Sequence, residues 1–207
     1  AHYTGPSTHI LVKQNNKKYL WQPFSDQIES YKKEQNLYKN SLGNKIVFEE
    51  VNHSLGLTFL YSWQASSRYG FVKKTKLINH SEVKVKVKLI DGLKNILPAG
   101  LELRTQQEMS NLANAYKVSE CNPDYNYALY YMNALLMDKP DPGESLFSNM
   151  VWSFSEEKFE LSVNQKSINT FLNDQCFTGD LLIKGKEGSF LNYIEKYKTT
   201  SGFAKPG

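Results

Sequence analysis

Arginine is almost absent from this sequence, which has 207 residues and a net charge of +4. Arg68 and Arg104 are the only two, so lysine supplies nearly all of the positive charge. Bidentate contacts to phosphates and bases favour arginine. No short window holds the dense basic block that is typical of a nucleic-acid-binding arm. The sequence therefore argues against nucleic acid as a partner.

Long apolar runs are absent too, and no stretch approaches the roughly 20 apolar residues that a membrane-spanning helix needs. Hydrophobic residues make up 40% of the chain and aromatic residues 13%, which argues against disorder. A chain of this length can bury a full core as one large all-β domain. These features predict a soluble globular protein with no membrane partner.

Cysteine and histidine are too few and too scattered to predict a metal site or a cofactor. The two cysteines, Cys121 and Cys176, form no CxxC pair. The four histidines are isolated and lack the spacing of a helical metal site. We predict two buried free thiols, with a disulfide as the alternative.

Catalytic motifs are equally absent. No serine occupies a Gly-x-Ser-x-Gly elbow, and no glycine loop could cradle a phosphate. Glu49 and Glu50 share a predicted strand, so their side chains point to opposite faces and cannot act on one substrate. Asp91-Gly92 is typical of a turn, and Glu156-Glu157 also suit a solvated turn. We predict no catalytic residue in this chain.

Two Asn-His-Ser triplets follow predicted strands, at residues 52–54 and 79–81. Each matches the N-glycosylation acceptor, a motif that often arises by chance. Asparagine also tolerates the left-handed backbone of tight turns. We interpret both triplets as turns, and glycosylation is the alternative for a secreted eukaryotic protein.

Short runs of β-forming residues between turn signals dominate the chain. The predicted strands are residues 8–13, 19–22, 45–51, 57–63, 70–79, 83–90, 151–154, 159–164 and 180–184. In the sixth of these, Val and Leu alternate with Lys84, Lys86 and Lys88, which predicts one buried face and one solvated face.

The middle of the chain differs. Apolar residues spaced among Gln, Glu and Asn over 102–117 suit a helix. The apolar residues in 126–137 partly fit both the helical period and the strand period. We favour a strand because tyrosine is a strand former and both flanks are strong turns. Asn15-Asn16 and residues 40–44 are predicted hairpin tips. Together, these predicted strands, turns and helix indicate a mostly β, antiparallel fold of two packed sheets with a short helical excursion.

A single β-sandwich domain is predicted over residues 1–198, and residues 199–207 have the composition of a linker or tail. No internal repeat or heptad indicates a solenoid or a coiled coil. The chain begins without an initiator methionine, so we expect it to be a fragment of a larger protein.

Aromatic residues beside polar ones are candidates for sugar binding, because sugars stack their C–H faces on rings while polar groups take the hydroxyls. Trp21, Arg68 and Tyr69 have this mixed character and lie near predicted strand ends, which favours the rim of a site. Trp63 shares its strand face with predicted core residues at period two, which favours the core.

Several strand and turn segments together resemble a known family. They are Gln22-Pro23-Phe24, Leu37-Tyr38-Lys39-Asn40, Gly43-Asn44-Lys45, Leu55-Gly56-Leu57-Thr58-Phe59, Tyr69-Gly70-Phe71-Val72 and Leu89-Ile90-Asp91-Gly92-Leu93-Lys94-Asn95-Ile96-Leu97-Pro98. These segments are similar to the non-catalytic N-terminal region of large bacterial proteins related to cellobiose phosphorylase. The similarity extends from Thr4 to about Gln175.

The resemblance implies a β-supersandwich of the galactose-mutarotase-like type, which precedes a helical barrel in glycoside phosphorylases and related hydrolases. In such enzymes the catalytic carboxylate lies on the barrel, and this chain has no run of helical segments long enough to form one. Stand-alone mutarotases of this fold use a His and a Glu, and no motif here matches that pair. After Phe177 the sequence departs from the family pattern, which leaves the completeness of the last strands open.

The resemblance therefore predicts a non-catalytic domain of a carbohydrate-active enzyme, packed against a helical catalytic domain in the bacterial cytoplasm. Trp21, Arg68, Tyr69 and Arg104 are the residues expected to contact that domain or a carbohydrate. An oligosaccharide and a second copy in a homodimer are further candidate partners, and no cofactor or metal is expected.

Two other functions are open alternatives. An independent carbohydrate-binding module needs a solvent-exposed aromatic platform. A small mutarotase-like enzyme needs a cleft that holds a histidine and a carboxylate within reach of one ligand.

Overall fold

The computed structural model describes residues 4–25, 31–82, 84–134, 146–186 and 188–196, and within them it has thirteen strands and three short helices. The strands are β1 (Gly5–Gln14), β2 (Lys17–Trp21), β3 (Lys33–Lys39), β4 (Lys45–Asn52), β5 (Leu57–Ser66), β6 (Gly70–Asn79), β7 (Lys86–Ile96), β8 (Lys117–Asn122), β9 (Tyr127–Met132), β10 (Ser148–Trp152), β11 (Glu160–Ser162), β12 (Leu182–Lys184) and β13 (Gly188–Lys196). The helices are α1 (Leu103–Glu108), α2 (Ser110–Tyr116) and α3 (Lys166–Leu172).

Antiparallel pairing joins these strands into three sheets. The first sheet has the order β11-β13-β7-β1-β2, the second β3-β4-β5-β6 and the third β10-β9-β8-β12. Strands take up 53% of the structure and helices 11%. The predicted mostly β, antiparallel, sandwich-like class with a short helical excursion is confirmed, with three sheets in place of the two predicted.

The chain divides into two compact units. Unit 1 comprises Ala1–His9, Leu89–Phe154 and Lys158–Ile194, and unit 2 comprises Ile10–Lys88, Ser155–Glu157 and Glu195–Gly207. The second sheet belongs entirely to unit 2 and the third entirely to unit 1. The single domain over 1–198 stays a prediction, and the predicted tail at 199–207 lies outside the described residues.

Unit 2 is organised around the long strands of its sheet. Alternate residues of β5, Leu57, Phe59 and Tyr61, are buried on one face, as the period-two pattern predicts. In β7, Val87 and Leu89 are buried as predicted, whereas Lys86 and Lys88 are half-buried instead of solvated, and Lys86 Nζ lies 3.0 Å from Glu195 Oε1. The polar strand β3 was not predicted, because an edge strand need not carry the apolar alternation of a buried one.

In unit 1, residues of the first and third sheets share one core. The first sheet supplies Ile96, Leu161 and Phe190, and the third supplies Ala128, Tyr130 and Ile183. The buried Tyr130 hydroxyl donates to the carbonyl of Ser189 at 2.8 Å, so its burial leaves no unpaired donor. A second cluster of Leu101, Ala113 and Met132 packs α2 against β9.

The region predicted to be helical over 102–117 is helical, but it forms two short helices, α1 and α2, instead of one. Met109 separates α1 from α2 with φ −129° and ψ 40°, outside the helical region. The strand favoured over 126–137 is present as β9, and residues 135–137 lie outside the described part of the chain. The hairpin tip at Asn15-Asn16 is confirmed, since both residues have positive φ (50° and 60°).

The turn predicted at Asp91-Gly92 is wrong, because both residues lie inside β7. A Cβ on Gly92 would lie 1.9 Å from the carbonyl oxygen of Phe190, so this glycine permits the close approach of β13. The chain after Phe177, whose strands the resemblance left open, forms β12 and β13. β13 lies between β11 and β7 in the first sheet.

Candidate functional site

The four residues predicted to contact a carbohydrate or a partner domain lie in three different settings. Trp21 is only 1% exposed, so it belongs to the core and not to the rim of a site. Its indole N–H donates to Glu50 Oε1 at 2.7 Å, and its ring meets Phe59 edge to face. A side chain buried in this way cannot stack on a sugar.

Arg68 and Tyr69 do lie on the surface, at the turn between β5 and β6. The guanidinium carbon of Arg68 is 5.2 Å from the centre of the Tyr69 ring, a cation–π arrangement. Their backbone N–H groups donate to Ser66 Oγ at 3.3 and 3.2 Å, which defines the turn. Arg104 belongs to the other unit, where it pairs with Glu108 at 2.8 Å on the exposed face of α1.

Glu49 and Glu50 point to opposite faces of β4, as predicted. Glu50 is completely buried. Its Oε2 accepts the Phe24 backbone N–H and the Gln35 amide, each at 2.7 Å, in addition to the Trp21 bond on Oε1. Phe24 has a left-handed backbone with φ 63°, which is unfavourable for an aromatic residue. The carboxylate therefore stabilises an otherwise strained turn.

The two Asn-His-Ser triplets lie in the same part of the second sheet, because Asn52 and Asn79 both lie opposite Leu57. Asn52 Oδ1 accepts the backbone N–H of Leu55 at 3.1 Å. Asn79 Oδ1 accepts the backbone N–H and the hydroxyl of Ser81 at 3.0 and 2.7 Å. Both asparagines are buried. The interpretation of these triplets as turns is confirmed.

The histidines of the two triplets line one shallow depression of about 440 Å³. Its lining residues, which define the histidine depression, are Glu49, Val51, Asn52, His53, Gly56, Thr58 and His80. Thr58 Oγ1 and His80 Nε2 are 3.0 Å apart, and Glu49 Oε2 accepts the Tyr38 hydroxyl at 2.8 Å. The sequence had pointed to these triplets only as turns, yet the sheet brings both imidazoles and a carboxylate into one place.

The face of the third sheet that points away from the core of unit 1 carries large apolar side chains. Met150 lies opposite Leu129, and Trp152 lies opposite Tyr127. Leu182 lies on the same face, separated from Leu129 by Glu120. The apolar face is the set of these residues, namely Tyr127, Leu129, Met150, Trp152 and Leu182. Met150, Trp152 and Leu182 are 54%, 44% and 55% exposed.

A polar column along β8 separates Leu182 from the other members of the apolar face. Glu120 and Asn122 lie opposite Leu129 and Tyr127. The Tyr131 hydroxyl lies 3.4 Å from Glu120 Oε2, and burial together with this carboxylate raises the pKa of Tyr131. The tyrosine is therefore a neutral hydrogen-bond donor near pH 7. Tyr127, Leu129, Met150 and Trp152 thus form an apolar patch with a polar border on its β8 side, which is the usual make-up of a protein-binding surface.

The cysteines are both free, as predicted, but only one of them is sheltered. Cys121 is half-buried, and burial raises its pKa to about 11. Cys176 is exposed, so the prediction that it would be buried is wrong.

Within the ranges described, no group of three or more His, Cys, Asp or Glu side chains could hold a metal ion. No helix in the same ranges is long and apolar enough to cross a membrane. No protein-family model matches the chain, and no curated protein is significantly similar to it.

Proposed function

We propose that this chain is a non-catalytic β domain of a carbohydrate-active enzyme of the glycoside phosphorylase or hydrolase type. In this proposal the domain packs against a helical catalytic domain through the apolar face. The observation that carries the proposal is the exposure of Met150 and Trp152 beside Leu129 and Tyr127 on one sheet surface. Contiguous exposed apolar surface marks an interaction site in soluble proteins.

The composition of the apolar face favours a protein partner over a sugar. Two of its five members are aromatic, and the other three are Leu129, Met150 and Leu182. Leucine and methionine side chains offer no hydroxyl or amide to a sugar, whereas methionine and aromatic residues are enriched at protein interfaces. Met150 and Leu129 lie directly opposite one another, as do Trp152 and Tyr127. Such cross-strand pairs form a contiguous surface on which the apolar stripe of a helix can pack.

Radical footprinting tests this proposal, because it measures how accessible individual side chains are to solvent. The experiment compares the 207-residue chain with the full-length natural protein. We expect oxidation of Met150 and Trp152 to fall several-fold in the full-length protein. Leu42, which is 82% exposed in unit 2, is the matched control and should be labelled equally in both. Equal labelling of Met150 in both samples would contradict the proposal, as would a full-length protein without a helical catalytic domain.

Oligosaccharide binding at the histidine depression is a second candidate function. The depression has a volume within the range of small-molecule sites and offers fixed polar groups from Glu49, Thr58 and His80. A thermal-shift titration with gluco- and galacto-oligosaccharides tests it. Ligand at about a hundred times its dissociation constant adds roughly 2.7 kcal/mol, or a few degrees. His80→Ala should abolish that shift and Tyr69→Ala should not; the reverse result would place binding at the β5–β6 turn.

A further inference from the structure

The edge strand β10 differs from the other sheet edges in its charge. The three sheets have six edge strands, and in the described residues five of these carry at least one charged side chain. These charges are Lys17 and Lys18 on β2, Glu160 on β11, Lys184 on β12, Lys33, Glu34 and Lys39 on β3, and Lys73, Lys74 and Lys76 on β6. β10 has none, and the uncharged stretch continues over residues 146–154.

This uncharged stretch is also exposed. Leu146, Phe147 and Phe154 are 85%, 70% and 84% exposed, and Met150 and Trp152 lie on the strand between them. Soluble proteins protect sheet edges with charges, especially lysine, because an uncharged apolar edge pairs readily with another strand. The first, second and third sheets follow this rule at every described edge except β10. The exposed, uncharged edge of β10 is therefore suited to pairing with another strand.

The backbone of β10 is oriented to accept such a strand. The N–H of Ser153 donates to the carbonyl of Asn126 at 2.9 Å, on the side of β9. In an antiparallel pair the direction of the backbone groups alternates from residue to residue. The N–H and C=O of Met150 therefore point away from β9, toward the side of β10 where no other described strand pairs.

We infer that β10 pairs antiparallel with β10 of a second copy of this chain, with the two-fold axis at Met150. Antiparallel pairing of identical strands closes under two-fold symmetry, so one surface serves both partners. At the axis, Met150 of each copy exchanges both backbone hydrogen bonds with its counterpart, and Ser148 lies opposite Trp152 of the other copy. The third sheets of the two copies then form one sheet of eight strands, in which the two apolar faces adjoin.

Charge favours a second copy as the occupant. When a strand pairs with its own copy, any charge near the axis meets the same charge, and like charges directly opposite are destabilising. The lysines of β6 would meet in this way, whereas β10 brings only neutral side chains together. The inference does not depend on the proposed function, because it uses the edge of the third sheet and leaves its face open.

Sedimentation velocity of the 207-residue chain tests the inference. We expect a dimer with a dissociation constant of about 10 μM or tighter. Met150→Lys places two like charges at the axis and should weaken the dimer at least about tenfold. Leu42→Lys adds the same charge at an exposed site in the turn after β3, and it should leave the dimer unchanged.

A second variant separates loss of pairing from loss of folding. Met150→Pro removes an N–H that points away from β9, and proline is tolerated on an edge strand at such a position. The variant should therefore keep the circular dichroism of the parent chain and be monomeric. A wild-type chain that is monomeric well above 10 μM would overturn the inference. A dimer that survives both Met150→Lys and Met150→Pro would also overturn it, since its interface would lie elsewhere.

Discussion

Replacement of the buried Glu50 by alanine should strongly destabilise unit 2. The carboxylate accepts hydrogen bonds from Trp21, Phe24 and Gln35, all at 2.7 Å. Hydrogen bonds to a charged group contribute about 1.5 to 3 kcal/mol each, and a buried donor left without a partner costs about 1 to 3 kcal/mol. Removal of the charge also relieves the cost of burying it. We therefore expect a net loss of about 3 to 5 kcal/mol in the free energy of unfolding.

Urea unfolding measures this loss. A Trp152→Phe background leaves Trp21 and Trp63 as the remaining tryptophans, and both belong to unit 2. With a slope of about 2 kcal/mol per molar urea, Glu50→Ala should lower the fluorescence midpoint by about 2 M. Glu50→Gln keeps the volume but presents only one oxygen to the three donors, so we expect an intermediate loss of about 2 kcal/mol.

The neighbouring Glu49 provides the matched control. It lies on the same strand, and its Oε2 accepts hydrogen bonds from Asn36 and Tyr38 at the solvent-accessible side of the sheet. Glu49→Ala should cost less than about 1 kcal/mol. If the two alanine variants unfold at the same urea concentration, Glu50 does not stabilise the strained turn at Phe24.

Three further predictions concern unit 1. Burial lowers the pKa of His9 from 6.5 to about 4, so the unfolded chain binds the proton first as the pH falls. The stability that neutral His9 provides is complete above pH 6.5 and is lost as the pH falls toward 4. Between pH 7 and 4.5, the free energy of unfolding should therefore fall by about 2 kcal/mol more in wild type than in His9→Gln. Gly92→Ala should cost at least about 2 kcal/mol in urea unfolding, because its new Cβ would displace the backbone of β13 at Phe190; an unchanged midpoint would contradict this close approach. A thiol reagent at pH 8 should label Cys176 much faster than Cys121, because Cys176 is exposed whereas Cys121 is half-buried and has a raised pKa. Equal labelling rates in the native chain would contradict this difference.

Much of the β architecture could be predicted from local patterns. The alternation in β5 and β7, the paired asparagines at the tip of the β1–β2 hairpin and the polar turn before Lys45 are signals carried by consecutive residues. Such signals depend on short-range sterics and on a period of two, so they survive in any tertiary context. The strands β3, β8 and β13 were missed because their sequences lack a clear apolar alternation.

The candidate surfaces were harder to predict. The position of Trp21 near a strand end predicted that it would lie at the rim of a binding site. Its indole is instead buried in the core, where it donates to Glu50 and contacts the ring of Phe59. Trp152 and Met150 had no distinguishing local feature. Their exposure follows from the pairing of β10 with β9, which places both side chains on the face away from the core of unit 1 and depends on partners more than fifteen residues away along the chain.

The sequence by itself determined the fold class, the strand faces and the main hairpin turns, because these follow from the period of the side chains and the backbone preferences of the residues. Only the tertiary structure decided which strands became edges, which carboxylate was buried and which histidines came together. Strand order is set by packing and pairing between distant segments, and no local window contains that information. The histidine depression, the apolar face and the uncharged edge of β10 all depend on this pairing between distant segments.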